Sequence, residues 1–137
     1  MAERSPRMPW WRRWFGRRSE RVAEQYLRRK GHRILTRNWT CPLGELDLVT
    51  RLGETLVFVE VRSTSHEDGT SAEQSVNTAK QARLTQLALA FMNHFHVHEV
   101  CARFDVVILA WPDTAQKPVI KHFENAFPAL GKSSMYS

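Results

Sequence analysis

Polar and apolar residues alternate along three consecutive segments of the chain, and this period of two predicts β-strands. The segments cover residues 34–40, 45–51 and 55–63. Pro42 and Gly44 mark a turn between the first two, and Leu52-Gly53 marks a tight turn between the second and the third. The third segment is apolar on both faces as far as Val59, so we expect it to lie in the centre of a sheet.

Apolar residues recur at helical spacing before and after these strands. The first predicted helix covers residues 19–30, with Ser19 as its N-cap and Gly31 after its last turn. The second runs from about Ala72 to Asn93. A fourth strand and an edge strand are predicted at residues 104–111 and 119–123. This order of elements predicts one α/β domain with a mixed central sheet of four or five strands flanked by helices.

The composition is typical of one globular domain, with 137 residues, 42% hydrophobic and 25% charged. No apolar stretch approaches the roughly 18–20 residues that span a bilayer. The basic N-terminus also lacks the apolar segment of a secretory signal. The two cysteines, Cys41 and Cys101, form no CxxC pair, so we expect reduced thiols and a cytoplasmic protein.

Positive charge is concentrated at the N-terminus. The net charge is +6, and residues 1–30 contain ten Arg or Lys and only three Glu. A localised basic segment favours a polyanionic partner, either nucleic acid or an anionic membrane surface. Residues 1–15 are predicted to form a basic, aromatic tail. Its rings, from Trp10 to Phe15, have three open interpretations: packing on the domain, contact with a membrane interface, or stacking on unpaired bases.

Acidic residues interrupt strands that should be apolar. On the second strand, alternation places Glu45, Asp47 and Val49 on one face and Leu46 and Leu48 on the other. An isolated buried carboxylate is costly and stays charged only beside a cation. The acids in these strands therefore predict a cation beside them.

The register of the hairpin decides whether a second acid lies close to the first. A two-residue loop at Leu52-Gly53 places Asp47 opposite Phe58 and diagonal to Glu60, about 7–8 Å away at the backbone. Two side chains at this distance can converge on one ion. A three-residue loop would turn Asp47 to the wrong face.

Two carboxylates and several waters suit Mg²⁺ or Mn²⁺. Such an ion can bind a phosphodiester oxygen and make a nucleophile from bound water. Arg62 shares the face of Glu60 and would stabilise the negative charge that develops at the phosphorus oxygens. The alternative from these residues alone is a surface Glu60–Arg62 ion pair, with Asp47 as an ordinary strand residue.

The residues around these acids match a known pattern. Its pieces are Gly44-Glu45-Leu46-Asp47-Leu48, Phe58-Val59-Glu60-Val61-Arg62, Glu20, Asn38, Gly69, Lys80-Gln81, Arg103-Phe104-Asp105-Val106 and Asn125-Ala126-Phe127. They resemble the D…ExK core of the restriction-endonuclease-like superfamily and, more closely, the YraN family, uncharacterised bacterial proteins predicted to be related to Holliday-junction resolvases. The resemblance covers about residues 16–127, a nuclease-like domain followed by a C-terminal tail at 128–137.

The resemblance implies a restriction-endonuclease-like three-layer α/β core. It also implies Asp47 and Glu60 as catalytic metal ligands, with the Val61 carbonyl as a third ligand, and Glu20 approaching the same site from the first helix. It further implies that Lys80 and Gln81 face this site from the second helix. Arg62 stands where the superfamily has lysine. Because arginine effectively cannot lose its proton, Arg62 can position a phosphate but cannot act as a base.

Basic and polar side chains on and near the two predicted helices are the candidate contacts to nucleic acid. They are Arg17, Arg18, Arg21, Lys80, Gln81 and Arg83. Lys80 and Arg83 could equally form the solvated side of a helix. His94, His96 and His98 alternate, as in a polar loop or in a transition-metal site.

The leading hypothesis is a metal-dependent endonuclease that acts on DNA, including branched or single-stranded structures. Two alternatives come from other classes of protein. One is a nucleic-acid-binding module of the same fold without efficient cleavage, and the other is a membrane-surface adaptor that uses the N-terminal aromatic segment. A homodimer is compatible with the sequence, although no segment identifies a dimer face.

Overall fold

Two helices cover opposite faces of a five-stranded sheet in the computed structural model of the chain. The structure describes residues 10–65, 76–111 and 117–129, with side chains from residue 17 onward. In chain order the elements are α1 (Trp10–Arg29), β1 (Arg33–Cys41), β2 (Gly44–Leu52), β3 (Thr55–Thr64), α2 (Thr78–His94), β4 (Cys101–Ala110) and β5 (Val119–Phe127). Within these ranges, no helix has the length and apolar character needed to cross a membrane.

The strands lie across the sheet in the order β1-β2-β3-β4-β5. Neighbours are antiparallel except β3 and β4, which are parallel because the chain returns through α2 between them. β3 is central and is buried from Leu56 to Glu60, as its apolar run predicted. The predicted α/β class, with a mixed sheet in a three-layer core, is confirmed.

Each face of the sheet carries its own apolar core. The α2-side core lies between the sheet and α2 and includes Phe58 of β3 and Phe91 of α2. The α1-side core lies between the sheet and α1, where Leu27 packs on residues of β2, β3 and β4. Since alternate residues of β3 enter different cores, Glu60 faces the α2 side and Val61 faces the α1 side.

α1 begins at Trp10, well before its predicted start at Ser19. The prediction that Ser19 is an N-cap is therefore wrong. Ser19 lies inside the helix and is fully buried. Its hydroxyl accepts a hydrogen bond from Trp111 Nε1 at 2.9 Å and contacts the hydroxyl of Ser63. The predictions for the rings of the N-terminal segment concern side chains outside the described part of the chain.

The predicted end of α1 is confirmed, whereas the predicted start of α2 is wrong. Gly31 follows α1 as predicted, and its φ of +98° is the left-handed conformation that terminates helices. α2 begins at Thr78, after the N-cap Asn77, and not near Ala72. Residues 66–75, which hold most of the predicted first turns of this helix, lie outside the described residues.

We expect Ser19→Ala to lower the free energy of unfolding by about 1–3 kcal/mol, because it leaves the buried Trp111 Nε1 without its acceptor. Urea unfolding followed by circular dichroism measures this loss. Ser63→Ala is the matched control and should cost less, since Ser63 is exposed and Trp111 keeps its acceptor. Equal losses in the two variants would contradict the role given to Ser19.

Candidate functional site

The β2–β3 hairpin closes on a different two-residue loop from the predicted one. Leu52 pairs with Thr55, so the loop is Gly53-Glu54 and the predicted loop at Leu52-Gly53 is wrong. The correction moves each partner on β3 by two residues. Because side chains alternate with a period of two, a shift of two residues does not by itself change the face of the hairpin on which a side chain lies.

The corrected register brings the two candidate acids closer together. The ladder extends to Leu48, which pairs with Val59. Asp47 and Glu60 lie immediately beyond this last pair, and Phe58, the predicted partner of Asp47, pairs with Val49 instead. The two acids therefore lie side by side on adjacent strands, where they had been expected on a diagonal.

The alternation of β2 breaks once, immediately before Asp47. Leu46 and Val49 both belong to the α2-side core, whereas Leu48 belongs to the α1-side core. Two residues of opposite parity therefore face α2, so the prediction that Leu46 shares a face with Leu48 is wrong. Glu45 is turned towards α1 instead, and its predicted common face with Asp47 is also wrong.

Asp47 and Glu60 form the buried centre of the site. Asp47 Oδ2 accepts a hydrogen bond from the Val61 amide at 2.8 Å. Glu60 is only 7% exposed, and the two carboxyl groups are close enough to share a hydrogen bond. Burial raises the pKa of Asp47 well above its ordinary value, and the negative charge of Glu60 raises it further. Both effects arise because Asp47 is buried directly beside a second acid.

Two cations approach the same carboxylate from different elements. Arg62 Nε lies 3.2 Å from Glu60 Oε2, and Lys80 Nζ of α2 lies 3.6 Å from the same oxygen. The Arg62 Nε is buried yet makes no hydrogen bond to a described group. Arg62 is thus held beside the acids by charge, with donor capacity left for an oxyanion.

Glu20 of α1 lies beside Asn38 and Glu45 on the α1 side of the sheet, and its implied approach to Asp47 and Glu60 stays a prediction. The Asn38 amide nitrogen, oriented for hydrogen bonding, donates to Glu20 Oε1 at 2.9 Å and to Glu45 Oε1 at 3.0 Å. Asn38 has a φ of +50°, a left-handed conformation that asparagine tolerates better than most residues. Burial raises the pKa of Glu20 despite the Asn38 hydrogen bond, and the charges of Glu45 and Glu60 add to the increase.

The six residues predicted to contact nucleic acid are not brought together. Arg17 and Arg21 are exposed on α1, whereas the guanidinium of Arg18 lies 4.5 Å from the centre of the Trp111 ring. On α2, Lys80 faces the acids and Arg83 is exposed. The Gln81 side chain donates to the Val76 carbonyl at 3.0 Å, so its amide is engaged in the local backbone.

The donor set of this centre fits a hard divalent cation. Asp47 and Glu60 supply carboxylate oxygens, and a cation between them would offset the repulsion that raises the pKa of Asp47. The Val61 amide points at Asp47, and in an extended strand the carbonyl of a residue points to the same side as its amide. Among the described residues, no three His, Cys, Asp or Glu side chains are arranged around one ion, so water would complete the shell.

Sequence reasoning missed two neighbours of the acids and left one cluster open. Asn38 belonged to the resemblance without a role, and Glu45 was assigned to the wrong face. The only signal for either was their place in a polar stretch beside Asp47. Of the three histidines, His94 is the last residue of α2, and His96 and His98 lie in the loop after it. Within the described residues they form no metal group.

We expect the stability difference between Asp47→Asn and the wild type to depend on pH. The pKa of Asp47 is raised in the folded protein above 3.8, so its contribution to stability is lost as the pH rises through the folded pKa. Asparagine has no proton to lose in this pH range, so the free energy of unfolding of the variant should rise relative to that of the wild type as the pH increases. Urea unfolding from about pH 4 to 8 measures the free energy of unfolding of the variant minus that of the wild type. A difference that falls as the pH rises would contradict the assigned cause.

Comparison with known sequences places these residues in a family context. A profile of the uncharacterised protein family UPF0102 matches residues 19–109, which include Glu20, Asp47 and Glu60. A UPF0102 protein of Pelotomaculum thermopropionicum is 41% identical over 116 residues, which cover 85% of this chain and 97% of the relative. One from Pseudomonas aeruginosa is 41% identical over 83% of this chain and 92% of its own. One from Rhodopirellula baltica is 36% identical over 88% and 74%.

Proposed function

The chain belongs to the uncharacterised protein family UPF0102, and we propose that it is a Mg²⁺-dependent endonuclease that hydrolyses phosphodiester bonds in DNA. The observation that carries this proposal is the convergence of Asp47 and Glu60 at a buried point with two cations beside them. Carboxylates forced together at such a cost are typical of sites where a group has a chemical task.

Asp47, Glu60 and the Val61 carbonyl would hold the ion. When bound, Mg²⁺ would supply Lewis-acid activation of an attacking water and neutralisation of phosphate charge. The protein fixes these ligands on two rigid central strands, where burial excludes bulk water and strengthens every charge interaction.

Arg62 and Lys80 would act on the substrate rather than on the ion. Both are partly exposed, and both are already positioned beside Glu60. Their charges would stabilise the negative charge that develops on the phosphorus oxygens. Because Arg62 effectively cannot lose its proton, it would orient the phosphate without accepting a proton from water.

One observation favours the second candidate, a nucleic-acid-binding module without efficient cleavage. The described groups already engage both acids, since Asp47 accepts from the Val61 amide and Glu60 pairs with Arg62 and Lys80. A site whose carboxylates are satisfied by the protein could persist for structural reasons after activity is lost.

The test is incubation of the full chain with a four-way junction, a nicked duplex and single-stranded DNA, in Mg²⁺, in Mn²⁺ and in EDTA. The proposal expects metal-dependent cleavage of at least one substrate. Binding in all conditions without cleavage would favour the second candidate. The absence of both binding and cleavage would reject both.

A further inference from the structure

A charged groove runs between α1 and β1, on the α1 side of the sheet. It has a volume of about 500 Å³. Its lining residues are Arg17, Glu20, Arg21, Glu24, Arg37 and Asn38, with Leu48 at the floor. Three of these residues are arginines, and α1 also belongs to the segment that carries the whole positive excess of the protein.

Two of the arginines are available for an anionic ligand. Arg17 and Arg21 are exposed, and neither forms an ion pair with any described residue. They lie four residues apart on α1, hence on one side of the helix and about 6 Å apart along its axis. Two guanidiniums at this spacing can contact successive phosphates of one strand, because each offers a planar fork of donors to an oxyanion.

The third arginine of the groove is held in place by an acid. Arg37 Nη2 donates to Glu24 Oε2 at 2.9 Å, and Arg28 Nε contacts the same oxygen at 3.3 Å. Arg37 nevertheless stays 54% exposed, so part of its guanidinium faces solvent. Fixed by Glu24, this side chain would lose little conformational entropy on meeting a phosphate.

The inner end of the groove lies beside the end of β2 that carries Asp47. Glu20 and Asn38 line the groove, and the Asn38 amide nitrogen donates to Glu45, two residues before Asp47. On the opposite side of the sheet, the described basic residues nearest the acids, Arg62 and Lys80, are both engaged with Glu60. The α1 side therefore offers the arginines that are not already paired with Glu60.

We propose that this groove binds the sugar–phosphate backbone of one DNA strand, with Arg17, Arg21 and Arg37 as its phosphate contacts. The strand leads past Glu20 to the acids, a direction that rests on the proposed function. Arg83 of α2 lies outside this path, although the sequence had grouped it with Arg17 and Arg21.

The test measures how binding of a fluorescein-labelled single strand depends on salt, by fluorescence anisotropy of the full chain in EDTA. Each phosphate contact adds about 0.7 to the slope of log K against log salt. The double variant Arg17→Gln/Arg21→Gln should reduce the slope by about 1.4. Arg83→Gln, the matched control, should leave the slope unchanged.

A second variant tests the groove without removing an arginine. Glu24→Gln deletes a negative charge from the lining, while the amide oxygen can still accept a hydrogen bond from Arg37, so we expect it to tighten binding of the same strand several-fold. This gain cannot come from misfolding. Unchanged or weaker binding by a folded Glu24→Gln variant would count against the groove.

The outcomes separate this inference from the proposed function. If the slope of log K against log salt is smaller than that of the wild type in Arg83→Gln but not in the α1 double variant, the proposed role of the groove is overturned, whether or not DNA is cleaved. The predicted slopes without metal-dependent cleavage support the groove and reject the nuclease. If the double variant no longer bound a poly-glutamate peptide but still bound DNA like the wild type, the proposal would be overturned in favour of an acidic protein partner.

Discussion

Asp47→Asn is expected to lower metal-dependent DNA cleavage at least about 100-fold while leaving single-strand binding in EDTA within twofold of the wild type. The asparagine can still accept the hydrogen bond from the Val61 amide, so the backbone geometry should persist. What the variant loses is the negative charge that, with Glu60, makes the centre suitable for a divalent cation. Initial cleavage rates on the best substrate, with binding measured in parallel, check the result.

The same variant should be more stable than the wild type at neutral pH, because it removes one of two like charges from a buried pair. Loss of activity together with a gain in stability distinguishes a functional acid from one that holds the fold together. Glu54→Gln, an exposed acid in the loop of the same hairpin, is the matched control and should change neither quantity. Full activity in Asp47→Asn would remove Asp47 from the site.

Asp105→Asn is expected to lower the free energy of unfolding by about 3–5 kcal/mol. Asp105 is 1% exposed and accepts from Arg103 Nε at 2.9 Å, His122 Nε2 at 2.7 Å and the Asn125 amide at 3.0 Å. His122 and Asn125 belong to β5, so their bonds to Asp105 tie β4 to this edge strand. A neutral amide would take the buried ion-pair partner from the partly buried Arg103, leave it only the exposed Glu124, and turn an amide N–H₂ group towards other donors.

The pH dependence of the free energy of unfolding is an independent test of the role of Asp105. Hydrogen bonds from His122 and Arg103 overcome the effect of burial and lower the pKa of Asp105 below 3.8. Its contribution is therefore present above pH 3.8 and is lost as the pH falls through the folded pKa. The wild type should lose its advantage over the variant in acid.

Glu124→Gln is the control for this cluster, because Glu124 also lies near Arg103, at 3.5 Å, but is 56% exposed. An exposed pair contributes little, so the change should cost less than about 1 kcal/mol. If Asp105→Asn lowered the free energy of unfolding no more than this control does, the hydrogen bonds of Asp105 would not stabilise the attachment of β5 to β4.

Local patterns were sufficient for the order and type of the elements. Period-two alternation located β1, β2 and β3, and helical spacing located α1 and α2. Boundaries failed where the deciding contact lay far along the chain. Ser19 reads as an N-cap from its neighbours, yet its partner Trp111 lies 92 residues away. No local pattern encodes such a contact.

The candidate site divides in the same way. Alternation predicted that Asp47 and Glu60 share a face. The error in the hairpin loop did not change this prediction, because it shifted the pairing by two residues, which is the period of a strand. The break at Leu46 was invisible, since polar and apolar residues alternate without interruption from Glu45 to Leu48. The approach of Lys80 was implied only by the resemblance.

The sequence by itself determined a basic first helix, a central apolar strand and two acids on one side of a hairpin. These features depend on residue type and on the fixed periods of helix and strand, which act over a few neighbours. Only the tertiary structure decided that Asp47 and Glu60 touch, that Asn38 joins Glu20 to Glu45, and that Arg37 faces the arginines of α1. Such contacts depend on how strands pair and on which face each helix covers, and the packing of the whole sheet sets both.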